Sequence, residues 1–241
     1  MSSQAKLELE PGYVLHSRAY RETSLLLEIF SRQQGRVGLV ARGARSAKSR
    51  WRNMLQPFRP LLLSWKLRGE LGNLVEAEQV AAMPMQAGDA WFCGLYVNEL
   101  MMRALHRGDP HPDLFDAYRQ LLQELASQAE PQARLRCFEK QLLESIGFAM
   151  ALAFEPASGA IVQADRWYRY HPVTGPMLDS AGREANGPGN AARNLVSGAA
   201  LLALESGEIE AQHLPELKQL MRKVLRFHLG DKPLVSQSLF Q

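Results

Sequence analysis

The chain has 241 residues, 46% of them apolar, enough to bury one large core or two smaller ones. Its net charge of +3 hides an asymmetry, with 13 Lys/Arg against 7 Asp/Glu in residues 1–80 and 15 against 18 in residues 81–241. A cationic front suits a polyanionic partner, nucleic acid first and an anionic membrane surface second, while the absence of any apolar run near the roughly 20 residues a span requires excludes a transmembrane helix. Glu8 and Glu10 stand where a signal peptide would be basic and then apolar, so the cytosol is expected. Cys93 and Cys137 are the two cysteines; they offer no disulfide framework and fit a reducing compartment as buried thiols.

In chain order, short strands are expected at Tyr13 to Ser17, Ser24 to Phe30, Val37 to Ala41, Pro60 to Lys66 and Asn73 to Val80, separated by turn residues such as Gln33-Gln34-Gly35-Arg36 and Arg68-Gly69-Glu70. Five strands in under 80 residues suggest a small barrel of the OB type, with an SH3-like barrel giving nearly the same pattern. From Gly88 the period lengthens. Trp91, Leu95, Leu100 and Leu105, then Leu114, Tyr118, Leu121 and Leu125, then Leu135, Phe138, Leu142 and Ile146 mark three helices, with Pro110, Pro112, Pro131 and Gly147 at their limits. Residues 150–192 are rich in Gly, Pro, Asn and Ser and read as loops or a small irregular hairpin. Val196 to Leu204 and the stripe Leu214, Leu217, Leu220, Met221, Val224 and Phe227 mark two further helices, so that residues 81–230 would share a helical core. The fold class expected is α+β: an OB-fold-like, nucleic-acid-binding barrel over residues 1–80, then a mainly helical domain over 81–241 with an irregular insertion near 150–192.

The strongest chemical signal is a run from Ile29 to Gly69 with ten cations and no Asp or Glu: Arg32, Arg36, Arg42, Arg45, Lys48, Arg50, Arg52, Arg59, Lys66 and Arg68. Solvated surfaces usually mix both signs; a surface that tracks phosphates excludes carboxylates, because each neutralised phosphate releases counterions. Its densest part, Arg42 to Arg52, also holds Gly43, Ser46, Ser49 and Trp51, which suggests a mobile loop with one aromatic ring able to stack on a base. Arg36, Arg42, Arg45, Lys48, Arg50, Trp51 and Arg52 are therefore the candidate DNA-binding residues. Arg42 to Ser49 resembles a phosphate-binding loop only in ending Lys48-Ser49, since Arg42 and Ala47 occupy the positions of the two required glycines. The six histidines show no ligand spacing and no nucleophile elbow is present, so neither a metal cofactor nor catalysis is expected. In the third helix, Arg136, Lys140 and Leu143 share a stripe beside Leu135, Phe138 and Leu142, a basic ridge along an apolar seam that could hold an acidic peptide with a hydrophobic end.

Tyr13-Val14-Leu15-His16-Ser17-Arg18, Glu22-Thr23-Ser24-Leu25, Gly35-Arg36-Val37, Val40-Ala41-Arg42-Gly43-Ala44-Arg45 and Leu55-Gln56-Pro57-Phe58 resemble the opening of the RecO family. Gly94-Leu95-Tyr96-Val97-Asn98-Glu99-Leu100, then Leu135-Arg136, Phe138-Glu139, Leu142-Leu143 and Ile146-Gly147, and finally Gly230 to Phe240, resemble its helical region and tail. The resemblance implies an N-terminal OB-fold and a helical domain. It further implies a DNA repair and recombination mediator that binds single- and double-stranded DNA, anneals complementary strands and, with RecR and sometimes RecF, lets RecA replace single-strand-binding protein. By the same resemblance Arg36, Arg42, Arg45 and Lys48 fall on the family's DNA-binding surface. Arg136 matches a cation implicated in holding the acidic C-terminal tail of single-strand-binding protein, with Lys140, Leu142 and Leu143 beside it. Many members carry a four-cysteine zinc module where this chain has residues 150–180; that segment lacks cysteine here, so no zinc is expected and packing of Phe154, Trp167 and Tyr170 would have to hold it. An RNA-binding OB protein and a DNA-processing enzyme with a dispersed site are the alternative readings, and a peripheral membrane protein is a third.

Overall fold

A computed structural model describes residues 9–51, 53–81, 88–127, 131–179, 195–234 and 236. Five strands, β1 (Glu10–Tyr20), β2 (Ser24–Ser31), β3 (Gly35–Ala41), β4 (Leu61–Arg68) and β5 (Leu71–Gln79), form a closed barrel in the order β1-β2-β3-β5-β4. Closure comes from antiparallel pairing of Glu10–Gly12 with Leu61–Leu63 and from a parallel pairing of Leu39 and Val40 with Gly72 and Asn73. Val14, Leu27, Ile29, Leu39, Leu61 and Leu63 fill the interior. At Gly72 an added Cβ would stand 2.6 Å from Leu39 Cδ2, so the parallel crossing depends on the missing side chain. The fold is the OB-like barrel expected, followed by helices.

Helices α1 (Asp89–Ala104) and α2 (Pro112–Ala126) pack on the barrel's outer surface along β1 and β2. Tyr13 of β1 and Phe30 of β2 meet Phe115 and Tyr118 of α2, with ring centroids 5.2–6.3 Å apart. Phe58, 1% exposed, stands edge-on to Trp91 at 4.8 Å, and an added Cβ on Gly94 of α1 would come within 2.7 Å of its ring. A bulge between Val14 and His16 leaves Leu15 without a ladder partner, and its carbonyl accepts from Asn98 Nδ2 at 2.9 Å. Asn98 Oδ1 in turn accepts from the Tyr118 hydroxyl at 2.6 Å, where burial pushes the phenol pKa up and keeps it a donor. Ser236, near the chain's end, returns to α1 and donates from its backbone N–H and hydroxyl to Glu99 Oε2 at 2.8 and 2.6 Å.

Compactness divides the chain elsewhere than the change of hydrophobic period does. Residues 1–129 with 234–241 form one unit and residues 130–233 another. The helical signal begins near Gly88, and α1 and α2 bury their apolar faces on strands.

The second unit holds α3 (Pro131–Ser145), a three-stranded sheet of β6 (Trp167–His171), β7 (Gly175–Leu178) and β8 (Leu195–Ser197) in the order β7-β6-β8, then α4 (Gly198–Ser206) and α5 (Leu214–Leu229). The small hairpin expected near 150–192 is β6–β7; residues 180–194 lie outside the described ones. Tyr170 is buried and Trp167 half-buried, as holding this segment by packing requires, whereas Phe154 is 49% exposed and does not serve as such an anchor. Ser197 caps α4 by accepting from Ala200 N at 3.1 Å, and Glu216 of α5 accepts from Ser197 N and Oγ, both at 2.8 Å. Among the described residues no helix is long and apolar enough to cross a membrane, and no three His, Cys, Asp or Glu side chains gather as metal ligands would.

The Asn98 bridge is open to measurement. Asn98→Ala should lower stability by about 1–3 kcal/mol in urea unfolding, because it strips the donor from the buried Leu15 carbonyl. The exposed control Gln120→Ala should shift it by under about 0.5 kcal/mol.

Candidate nucleic-acid interface

Seven of the ten cations between Ile29 and Gly69 fall into two groups once folded. Arg32 pairs with Asp116 of α2 at 2.9 Å, and that contact holds the carboxylate's pKa below its ordinary value. Arg36 turns inward: its Nε lies 3.6 Å from Glu28 Oε2, its Nη1 donates to the Met102 carbonyl, and burial lowers its pKa. Arg107, from the α1–α2 connection, pairs through Nη2 with Glu28 Oε1 and donates from Nε to Oε2 at 3.3 Å. Glu28 is thus shared by two guanidiniums, and Arg36 joins the barrel to α1. The same connection crosses the β2–β3 turn so closely that a Cβ on Gly35, at φ 64°, would stand 1.9 Å from the Asp109 carbonyl oxygen. Arg59 donates to Gln79 Oε1 at 3.1 Å.

The second group lies on the connection from β3 to β4. Arg42, Arg45, Lys48 and Arg50 are all exposed, and among the described residues no carboxylate pairs with any of them. Consecutive turns, with Ser46 N bonding Gly43 O and Ser49 N bonding Ser46 O, fold the segment down, and Ala44, Trp51 and Leu55 enter the barrel core beneath it. The indole of Trp51, expected to stack on a base, is 8% exposed, belongs to that core, and carries the Arg50 guanidinium 4.9 Å from its ring centroid. Burial of its large apolar ring accounts for that placement. Arg50 is itself held along β5 by donating to the Val75 carbonyl at 3.1 Å. Arg52 lies outside the described residues.

Folding adds a contributor that a linear charge census misses. Arg45 donates from its backbone to Thr23 O at 2.8 Å and from Nη1 to the carbonyls of Arg21 and Glu22, each at 3.3 Å. The β1–β2 turn is thereby tied to the cationic segment and brings exposed Arg21, lying over the Tyr20 ring at 5.3 Å, to the same end of the barrel. Glu22, in the same turn, breaks the acid-free pattern along the sequence and conceals Arg21 from it.

The residues expected to hold a peptide on α3 do not form an open ridge and seam. Arg136 is 5% exposed and paired with Glu139 at 2.7 Å, and Leu142 and Leu143 are fully buried. Lys140 is half-buried and donates from Nζ to the Glu205 carbonyl at 2.8 Å. Glu139, three residues beyond Arg136, balances its charge inside the protein, so a stripe of alternating character on a helical wheel becomes core on both sides.

Comparison with known proteins places the whole chain. The family model described as Recombination protein O N terminal matches residues 6–83, and that described as Recombination protein O C terminal matches residues 85–238. The chain is 45% identical over 234 residues to the DNA repair protein RecO of Alkalilimnicola ehrlichii, covering 97% of this chain and 90% of that protein. It is 42% identical over 238 residues to the protein of the same name from Methylococcus capsulatus, covering 98% and 94%. For that of Coxiella burnetii the figures are 38% over 235 residues, covering 97% and 98%.

Buried and displayed residues of the cationic segment should respond oppositely to truncation. Trp51→Ala should cost about 3–5 kcal/mol of stability in denaturant unfolding, as removal of a core aromatic does. Lys48→Ala should leave stability within about 0.5 kcal/mol of the parent.

Proposed function

The chain belongs to the recombination protein O family of DNA repair proteins, and from that premise we propose that it binds DNA through Arg21, Arg42, Arg45, Lys48 and Arg50 and anneals complementary strands there. The observation that carries this is the exposed group of guanidinium and ammonium side chains at one end of the barrel, none of them paired with a carboxylate among the described residues, on a backbone anchored by Ala44, Trp51 and Leu55. Anchoring matters because side chains on a fixed backbone lose less freedom when they meet phosphates. Two strands drawn to one cationic surface repel each other less and meet at raised local concentration, so pairing accelerates with no bond made or broken. Arg36 contributes indirectly, by holding the β2–β3 edge against α1. Contacts of this kind read the phosphate backbone and carry no base sequence.

The reading extends to double-stranded DNA and to assembly with single-strand-binding protein, RecR, RecF and RecA, in which the bound complex exchanges one coat on the strand for another. Its place of action is the cytoplasm, on the nucleoid.

The test is annealing of complementary oligonucleotides, bare and coated with single-strand-binding protein, across a salt series without nucleotide. The parent protein should anneal both. The combined Arg42→Ala/Arg45→Ala/Lys48→Ala variant should bind single strands more weakly and flatten the slope of log affinity against log salt by about 2, at roughly 0.7 per lost phosphate contact. An unchanged slope would move the DNA site off this segment.

A further inference from the structure

The second unit carries a surface that the barrel reading does not use. From Leu217 to Leu229, α5 holds Lys218, Arg222, Lys223 and Arg226 and no Asp or Glu. Lys218, Arg222 and Arg226 recur every fourth residue, which sets them on one stripe about 12 Å long. All three are exposed. The neighbouring stripe, Lys223 and Phe227, runs beside β6, where Lys223 Nζ donates to the Tyr170 carbonyl at 2.8 Å.

At the C-terminal end of this stripe four rings from three segments come together. Phe148, just past α3, stacks on His228 with centroids 4.1 Å apart and planes 24° from parallel. Phe227 meets His228 at 5.0 Å and His171 of β6 at 6.1 Å, both nearly edge-on. A cluster of this size would ordinarily close over itself in a core, yet Phe148 is 43% exposed and Phe227 55%. One carboxylate intrudes: Asp231 pairs with Arg226, both side chains being more than 60% exposed, a contact that solvent weakens and a ligand displaces at small cost.

We propose that the α5 stripe Lys218, Arg222 and Arg226, with the exposed rings of Phe227 and Phe148, is a second binding surface whose ligand is single-stranded DNA. A protein partner would be served by the rings alone. A duplex would be served by the cations alone, since its bases are paired and stacked away from an aromatic face. Displayed rings at the end of a cationic track suit a strand whose phosphates are neutralised while its bases remain free to stack. The proposal rests on the reading of the protein as a DNA-binding one but not on the barrel site. With a strand held here as well as on the barrel, one molecule presents two strands without both competing for the same cations.

The experiment uses the full chain and two fluorescent probes of equal length, an oligothymidylate strand and a hairpin duplex. Four variants are compared with the parent: Phe227→Ala, Phe227→Tyr, Lys218→Gln/Arg222→Gln/Arg226→Gln, and Arg42→Ala/Arg45→Ala/Lys48→Ala. Phe227→Ala should weaken binding of the strand about tenfold, leave the duplex within about twofold and leave the salt slope unchanged, because it removes stacking and no charge. Phe227→Tyr should restore the strand affinity. The α5 triple variant should flatten the strand's salt slope by about 2. A bromodeoxyuridine-substituted strand should cross-link under ultraviolet light to a peptide containing Phe227.

Parental strand affinity and slope in both α5 variants, with loss in the barrel variant, overturns this surface and leaves the barrel site standing. Loss in the α5 variants with a fully active barrel variant does the reverse. Unchanged DNA affinity together with a change in sedimentation on Phe227→Ala also overturns it, in favour of contact with a second copy of the chain. Because Phe227 is more than half exposed, its truncation opens no core, and a parental melting temperature separates binding loss from unfolding.

Discussion

The seam between the barrel and its two helices is the constraint on which the first unit depends. A closed barrel of five strands encloses little volume, and its outer surface along β1 and β2 carries large apolar side chains as well, with Tyr13, Leu15 and Phe30 all buried there. Those residues are excluded from water only because α1 and α2 lie over them. The seam is fastened by polar contacts as well as by area: Asn98 takes up the carbonyl that the β1 bulge strands, and Glu28 draws Arg36 and Arg107 together. Specific contacts of this kind fix where the helices sit, where apolar burial alone would allow sliding.

That seam also decides which part of the barrel stays exposed. With the β1–β2 surface covered, the β3–β4 connection and the β1–β2 turn remain as the exposed cationic end. The same fastening subtracts from the charge available. Arg32 and Arg36 belong to the acid-free run by sequence, yet Asp116 from α2 and Glu28 from β2 supply the carboxylates that the run itself lacks. What is left is a smaller and better ordered group, pinned by Arg45 to one turn and by Arg50 to β5.

Burial governs the second unit in the same way. Arg136 and Glu139, three apart on α3, pair inside the protein, where separating them would leave a charge uncompensated. On α5 the apolar residues Leu217, Leu220, Met221, Val224 and Leu225 are buried, and the cations between them are left outside. Phe227 is the residue that breaks this division, an aromatic assigned to the buried stripe by periodicity and found more than half exposed at the helix end.

Local and periodic features were legible in the sequence. The five strands lie within a few residues of their expected limits because alternation and turn residues act over neighbours, and α2 and α3 begin at Pro112 and Pro131. The motifs Leu55 to Phe58 and Gly94 to Leu100 could be read only as resemblance; folded, they are one contact, Phe58 seated on the bare backbone of Gly94. Tertiary structure alone decided which charges are displayed and which aromatics are buried. Whether Arg36 faces solvent depends on Glu28 and Arg107, whether Trp51 meets a base or a core depends on where its loop is anchored, and whether Arg136 is a ridge depends on Glu139. A side chain's type fixes its cost of burial, but its partners, 3 to 79 residues away in these pairs, fix whether that cost is met.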